Sequence, residues 1–143
     1  MKKIILTALF LAPLLGICAQ NDSTYFKGHF ANEEYGIYLN INLYQKNIIV
    51  PAHDLFGELP GYLGKVNNNF VWVITDSEII SPNKANISLI NDFGSEDLSA
   101  TLIKQSDSIF VLKQGSGSTI KMPNKGKWQK IPKEVKFKKT RRQ

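Results

Sequence analysis

Between residues 37 and 43 an aliphatic side chain falls at every second position: Ile37, Leu39, Ile41 and Leu43, with Tyr38, Asn40 and Asn42 between them. A pleated strand turns successive side chains to opposite faces, so this spacing sets all four aliphatics against a core and the asparagines toward water. A helix would scatter them round its circumference. The same period recurs, and strands are predicted at 24–30, 36–44, 47–50, 56–63, 70–75, 85–91, 98–104, 108–113, 119–122, 128–131 and 135–138. The inward set is Ile37, Leu39, Ile41, Leu43, Phe70, Trp72, Ile74, Ile87, Leu89, Leu98, Ala100, Leu102, Phe110, Leu112 and Phe137.

Residues that turn a chain stand between these runs: Asn67-Asn68-Asn69, Ser81-Pro82-Asn83-Lys84, Ser106-Asp107-Ser108 and Gly115-Ser116-Gly117-Ser118. Turns this closely spaced favour antiparallel neighbours, because a parallel sheet needs crossovers of about a dozen residues or more. The expected fold is therefore all-β, an antiparallel up-and-down meander that closes into a small barrel of 8–10 strands. A two-sheet β-sandwich is the alternative. Glycines in 57–65 read as bulges or sharp bends, with Tyr62 at a rim.

The chain begins with Lys2 and Lys3, an apolar run from Ile4 to Leu15, and a small residue, Ala19, before a polar stretch. That order reads as a signal peptide over 1–19, too short for an ordinary membrane span. It places the protein in the periplasm or outside the cell. An alternative cut leaves Cys18 as the anchor of a lipoprotein, although Ile17 is bulky for such a site. Cys18 is the sole cysteine, so a chain cut after Ala19 holds no disulfide and relies on burial. One all-β domain over 20–139 and a basic tail at 140–143 is the expected organisation.

The first strand is aromatic and holds a glycine, Phe26-Lys27-Gly28-His29-Phe30. Up-and-down hairpins follow, and a late basic strand, Val135-Lys136-Phe137-Lys138, ends the series. In this layout the chain resembles the calycin or lipocalin-like group of small barrels. Where lipocalins carry Gly-x-Trp, this chain has Gly28-His29-Phe30. The resemblance implies a small interior able to hold an apolar ligand, the alternative being an interior filled by its own side chains.

Charge is unevenly placed. Residues 20–120 hold six lysines and eleven carboxylates, a net of −5, whereas 121–143 hold ten Lys or Arg and one carboxylate, Glu134, a net of +9. The basic strip, with Lys136, Lys138 and Arg141, suits an acidic partner or an anionic surface, or else serves as a solvated face. It carries no nucleic-acid motif, and nucleic acid is not an expected partner.

Signals for chemistry are few. His29 reads as a strand side chain, and His53 sits in Pro51-Ala52-His53-Asp54, a turn where a histidine beside a carboxylate is a possible acid–base pair. Two histidines and no further cysteine make no metal-ligand set, no motif calls for a cofactor, and no catalytic residue is assigned. Asp92-Phe93-Gly94-Ser95-Glu96-Asp97 departs from calcium-loop spacing and reads as a charged hairpin loop. Residues 57–65 end in Gly-Lys but lack the remaining phosphate-loop positions.

The expected function is a non-enzymatic, exported binding module that recognises a protein or a small apolar ligand. One alternative is an inhibitor or immunity-type protein that occludes another protein's active site. Another is a small hydrolase or isomerase using His53 and a carboxylate such as Asp54 or Glu58. The candidate contact residues are Tyr35, Tyr62, Trp72, Asp92, Glu96, Asp97, Lys136, Lys138 and Arg141.

Overall fold

The computed structural model describes residues 25–141, so the signal-like start with Cys18 lies outside the described residues. Among the described residues the alternating segments form twelve strands: β1 (Lys27–Asn32), β2 (Ile37–Asn42), β3 (Ile48–Ile49), β4 (Glu58–Leu59), β5 (Gly61–Lys65), β6 (Asn68–Ser81), β7 (Lys84–Asn91), β8 (Asp97–Ser106), β9 (Ile109–Gly117), β10 (Lys121–Asn124), β11 (Lys127–Lys130) and β12 (Glu134–Thr140). Eight of them close into an antiparallel barrel in the order β1-β12-β9-β8-β7-β6-β5-β2, with β1 also paired to β2. Closure leaves no strand at an outer edge of the ring. The other four pair off as two short ribbons, β3–β4 and β10–β11.

Turn chemistry sets the register. The β5–β6 hairpin turns through Val66 and Asn67, with Asn67 at φ 61°. Asparagine tolerates that left-handed region better than most residues. Pro82-Asn83 and Asp107-Ser108 make the β6–β7 and β8–β9 turns. Gly115–Ser118 is not the expected turn. β9 runs on to Gly117 through a register shift against β8, and a Cβ on Gly115 would lie 2.8 Å from the Ser99 carbonyl oxygen. These glycines permit close backbone approach at a bulge rather than a reversal. Gly64, beside the bulge in β5, likewise leaves room for the Tyr38 ring.

All fifteen residues of the expected inward set belong to one buried cluster inside the barrel, joined by Phe26, Phe30, Leu63, Ala85, Ile120, Met122, Ile131 and Val135. Phe110 meets Phe26 and Phe30 at ring-centroid distances of 5.2 and 4.8 Å. The strands alternate in direction, so the β1–β2, β5–β6, β7–β8 and β9–β12 connections gather at one end, here the upper end. The 118–133 connection, which carries β10–β11, covers that end and contributes Ile120, Met122 and Ile131 to the core.

The other long connection, 43–60, climbs the outer wall. Its Val50 packs with the outward-facing Tyr62, Val71 and Val73 in a second buried cluster, flanked by Tyr38, Ile48, Leu59 and Ile90. This overturns the expectation for Tyr62: it is 1% exposed, because the 43–60 connection covers the face on which it stands. β12 extends to Thr140, whose hydroxyl is 2.7 Å from His29 Nδ1, so the barrel reaches one residue into the expected tail.

Candidate functional site: an aromatic cleft at the barrel rim

The β7–β8 loop, residues 92–96, is built around one buried side chain. Asn91 Oδ1 accepts hydrogen bonds from the Ser95 and Glu96 backbone N–H groups at 2.9 and 3.3 Å, and Asn91 Nδ2 donates to Ser95 Oγ at 3.2 Å. An asparagine that satisfies the backbone of its own loop holds the loop in one shape. The tip residue, Phe93, is thereby held out into solvent and is 71% exposed. Gly94 supplies the positive φ, 73°, that the reversal needs.

A second aromatic meets it from the β10–β11 ribbon. Trp128 is 54% exposed and lies edge-on to Phe70, with centroids 5.0 Å apart and planes at 72°, while Phe93 tilts against Phe70 at 5.6 Å. Phe93 and Trp128 are themselves 6.5 Å apart. Exposing two large rings side by side forgoes burial energy at both, and monomers seldom leave such patches without a contact to make. Together with Trp72, Asn91, Ser95, Glu96 and Lys121 these rings line a cavity of about 260 Å³ that opens at the upper rim.

The polar side of this cleft is an ion pair, Lys121 Nζ to Glu96 Oε2 at 3.4 Å, both side chains roughly one-third exposed. Trp72 forms part of the floor. Its indole N–H donates to the Lys121 carbonyl at 3.0 Å, which ties the ribbon to the barrel wall.

On the far side of the same loop, Asp92 accepts a hydrogen bond from His53 Nε2 at 3.1 Å, and His53 Nδ1 donates to the Pro51 carbonyl at 2.8 Å. Both partners of the ring are acceptors, so the doubly protonated imidazolium satisfies both and the neutral ring satisfies only one. The His53 pKa is accordingly raised above its ordinary value. The Pro51 carbonyl is the largest cause, opposed by desolvation and supported by the hydrogen bond and charge of Asp92. Phe56 stacks on the ring at 5.6 Å, and beside it Leu55 stands fully exposed.

Of the candidate contact residues, the structure brings together Trp72 and Glu96 in the cleft and places Asp92 at its shoulder. Tyr35, in the β1–β2 turn, packs against the interior cluster. Asp97 opens β8 outside the cleft, and Tyr62 is buried under the wall connection. Lys136 and Lys138 are exposed on β12 and Arg141 follows it; the strand order sets β12 three places from β7 and four from β6. His53 lies within hydrogen-bond reach of a carboxylate, that of Asp92 rather than Asp54 or Glu58, with its other ring nitrogen at the Pro51 carbonyl.

Sequence reasoning passed over Phe70, Phe93, Lys121 and Trp128 as contact residues. The available signal was Phe93 itself, a large ring set in a polar turn where no strand face would hide it. Among the described residues no group of three or more His, Cys, Asp or Glu side chains is arranged to hold a metal ion. No family model, curated protein or solved structure matches this chain.

Proposed function

We propose that this protein is a non-enzymatic binding module, acting outside the cytoplasm, that takes its partner in the aromatic cleft at the barrel rim. The observation that carries this reading is the convergence of Phe93 and Trp128, both largely in solvent, on a cleft whose loop and ribbon are each pinned to the barrel. A site held in its binding shape loses little freedom on association, which favours recognition. The lipocalin-like layout supports a ligand-taking barrel. Phe26, Phe30, Trp72 and Phe110 crowd the interior, however, so the contact belongs at the mouth rather than along the axis. Export rests on the charged and apolar start of the sequence.

A second reading, occlusion of another protein's active site, is favoured by one observation. Leu55 is fully exposed at the tip of a single 3₁₀ turn, Asp54–Phe56, beside Phe56, and the residue before that turn, His53, is bonded to Asp92 of the rim loop.

The test is capture from the extracellular and envelope fractions of the source organism by immobilised protein. Wild type is compared with a Phe93→Ser, Trp128→Ala double variant and with Leu55→Asp. The cleft reading expects a component held by wild type and by Leu55→Asp but lost from the double variant. Loss from Leu55→Asp alone selects the occlusion reading, and equal retention by all three proteins refutes both.

A further inference from the structure

We infer that the rim cleft binds one neutral sugar ring, with the apolar face of the ring on Trp128, Phe93 standing at its side, and its hydroxyl groups on Glu96, Lys121 and Ser95. This inference rests on the cleft being the contact site.

Size comes first. A cavity of about 260 Å³ falls just below the range of about 300–1,000 Å³ usual for drug-sized ligands, so it admits a group of about one ring. Shape comes next. Trp128 and Phe93, both more than half exposed, are set at 77° to one another and both pack against Phe70, so the cleft offers one flat aromatic surface with a second ring as a wall beside it. Such a surface favours a flat, partly apolar face over a branched aliphatic chain.

Charge then selects among flat ligands. With Glu96 and Lys121 3.4 Å apart, a cationic ligand drawn to the carboxylate meets the ammonium group, and an anionic one drawn to the ammonium meets the carboxylate. Neither sign gains what it loses in hydration. A purely apolar ligand would cover the pair and strip water from it without replacing a hydrogen bond. A ligand with adjacent hydroxyls does replace them, because one hydroxyl donates to Glu96 while its neighbour accepts from Lys121.

The remaining polar atoms agree. The Trp72 N–H and the Asn91 amide are already engaged with the protein, so they make no demand on the ligand, whereas Ser95 Oγ accepts from Asn91 and keeps its own O–H to donate. A neutral pyranose has this combination: a face of C–H groups, an edge of vicinal hydroxyls and no net charge.

The experiment presents the full chain to an array of neutral oligosaccharides ending in glucose, galactose, mannose or N-acetylglucosamine, with sulfated and sialylated glycans alongside. Any neutral glycan bound is then titrated by tryptophan fluorescence. Wild type should bind at least one neutral glycan. Trp128→Ala and Glu96→Gln should each weaken it by about tenfold, the scale of one aromatic or hydrogen-bonded contact. Trp128→Phe should retain part of the affinity. Trp128 is a surface residue and its variants should keep the wild-type circular dichroism, so a loss of binding reports the contact rather than the fold. A blank array, binding confined to anionic glycans, or full affinity in Trp128→Ala overturns the inference. If the array is blank while the double variant still loses its captured component, the cleft remains the contact site and its ligand is not a sugar. If capture is also unaffected, both readings fall.

Discussion

Two long connections interrupt an otherwise continuous meander, 43–60 between β2 and β5 and 118–133 between β9 and β12, and each carries a two-stranded ribbon. They are fastened in different ways. The 118–133 segment places Ile120, Met122 and Ile131 in the main core and is clamped by Gln114. Gln114 Nε2 donates to the Ile131 and Pro132 carbonyls at 3.1 and 2.9 Å, and its Oε1 accepts from the Ile120 N–H at 2.7 Å. The 43–60 segment lies against the outside of a finished barrel. Beyond Leu43 and Pro60 at its ends it buries Val50 fully, and it holds Ala52 at φ 65°, a left-handed conformation that costs about 1–2 kcal/mol for a residue with a Cβ. The β7–β8 loop takes Lys121 and Trp128 from the 118–133 connection and His53 from the 43–60 connection. One side of the rim is therefore part of the barrel's own cooperative unit, and the other is attached to it.

The sharpest way to break this contrast is at Gln114. Gln114→Leu keeps an inward side chain of similar reach but removes three hydrogen bonds, leaving the buried Ile120 N–H and the Ile131 carbonyl without their partner. An unsatisfied buried group costs about 1–3 kcal/mol, so the variant should lose about 2–5 kcal/mol of global stability in urea denaturation with an unchanged slope. A loss under about 1 kcal/mol would mean that the 118–133 cap does not fold and unfold with the barrel.

The counterpart on the wall is Val50→Ala. Deleting two methyl groups from the small outer cluster should cost about 1–2 kcal/mol, and it should act locally. Hydrogen exchange should accelerate at amides in 48–59 while β8 and β9 stay protected. Equal acceleration in the barrel strands would show that both connections belong to one unit and that their different fastening has no energetic consequence.

The interior of this molecule was legible from one periodicity. Ile37, Leu39, Ile41, Leu43 and their counterparts face inward because a strand has only two faces and one of them had to be dry. The second cluster was legible in principle as well. Residues 70–74, Phe-Val-Trp-Val-Ile, are apolar at both parities, and an unbroken apolar run means a strand covered on both sides. Reading Tyr62 as a rim residue missed that cover. Gly115 and Gly117 misled because glycine serves both turns and bulges, and only the pairing with β8 distinguishes them. The site was legible only in pieces, Trp72, Asp92 and Glu96, and its assembly was not, for a different reason. His53, Asp92, Glu96, Lys121 and Trp128 are brought together by how two long connections fold back on the barrel, and no local pattern encodes that.

The smallest expected effect probes the joint between the wall connection and the rim, and its sign follows from the His53 environment. The folded-state pKa lies above that of an unfolded histidine, about 6.5, because the Pro51 carbonyl and Asp92 favour the imidazolium more than desolvation opposes it. The stabilisation is therefore fully present below about pH 6.5 and fades as pH rises through the folded value. In Asp92→Asn the Pro51 carbonyl still holds the ring but the negative charge is gone, so His53 should titrate at lower pH than in wild type when its ring protons are followed by NMR. The stability difference between wild type and Asp92→Asn should shrink as pH is raised. An unchanged His53 titration in Asp92→Asn would show that Asp92 does not fasten the wall connection. Exchange at 48–59 that quickens with rising pH beyond the intrinsic rate, in wild type but not in the variant, would locate the joint at this pair and make the attached side of the rim the one that loosens first.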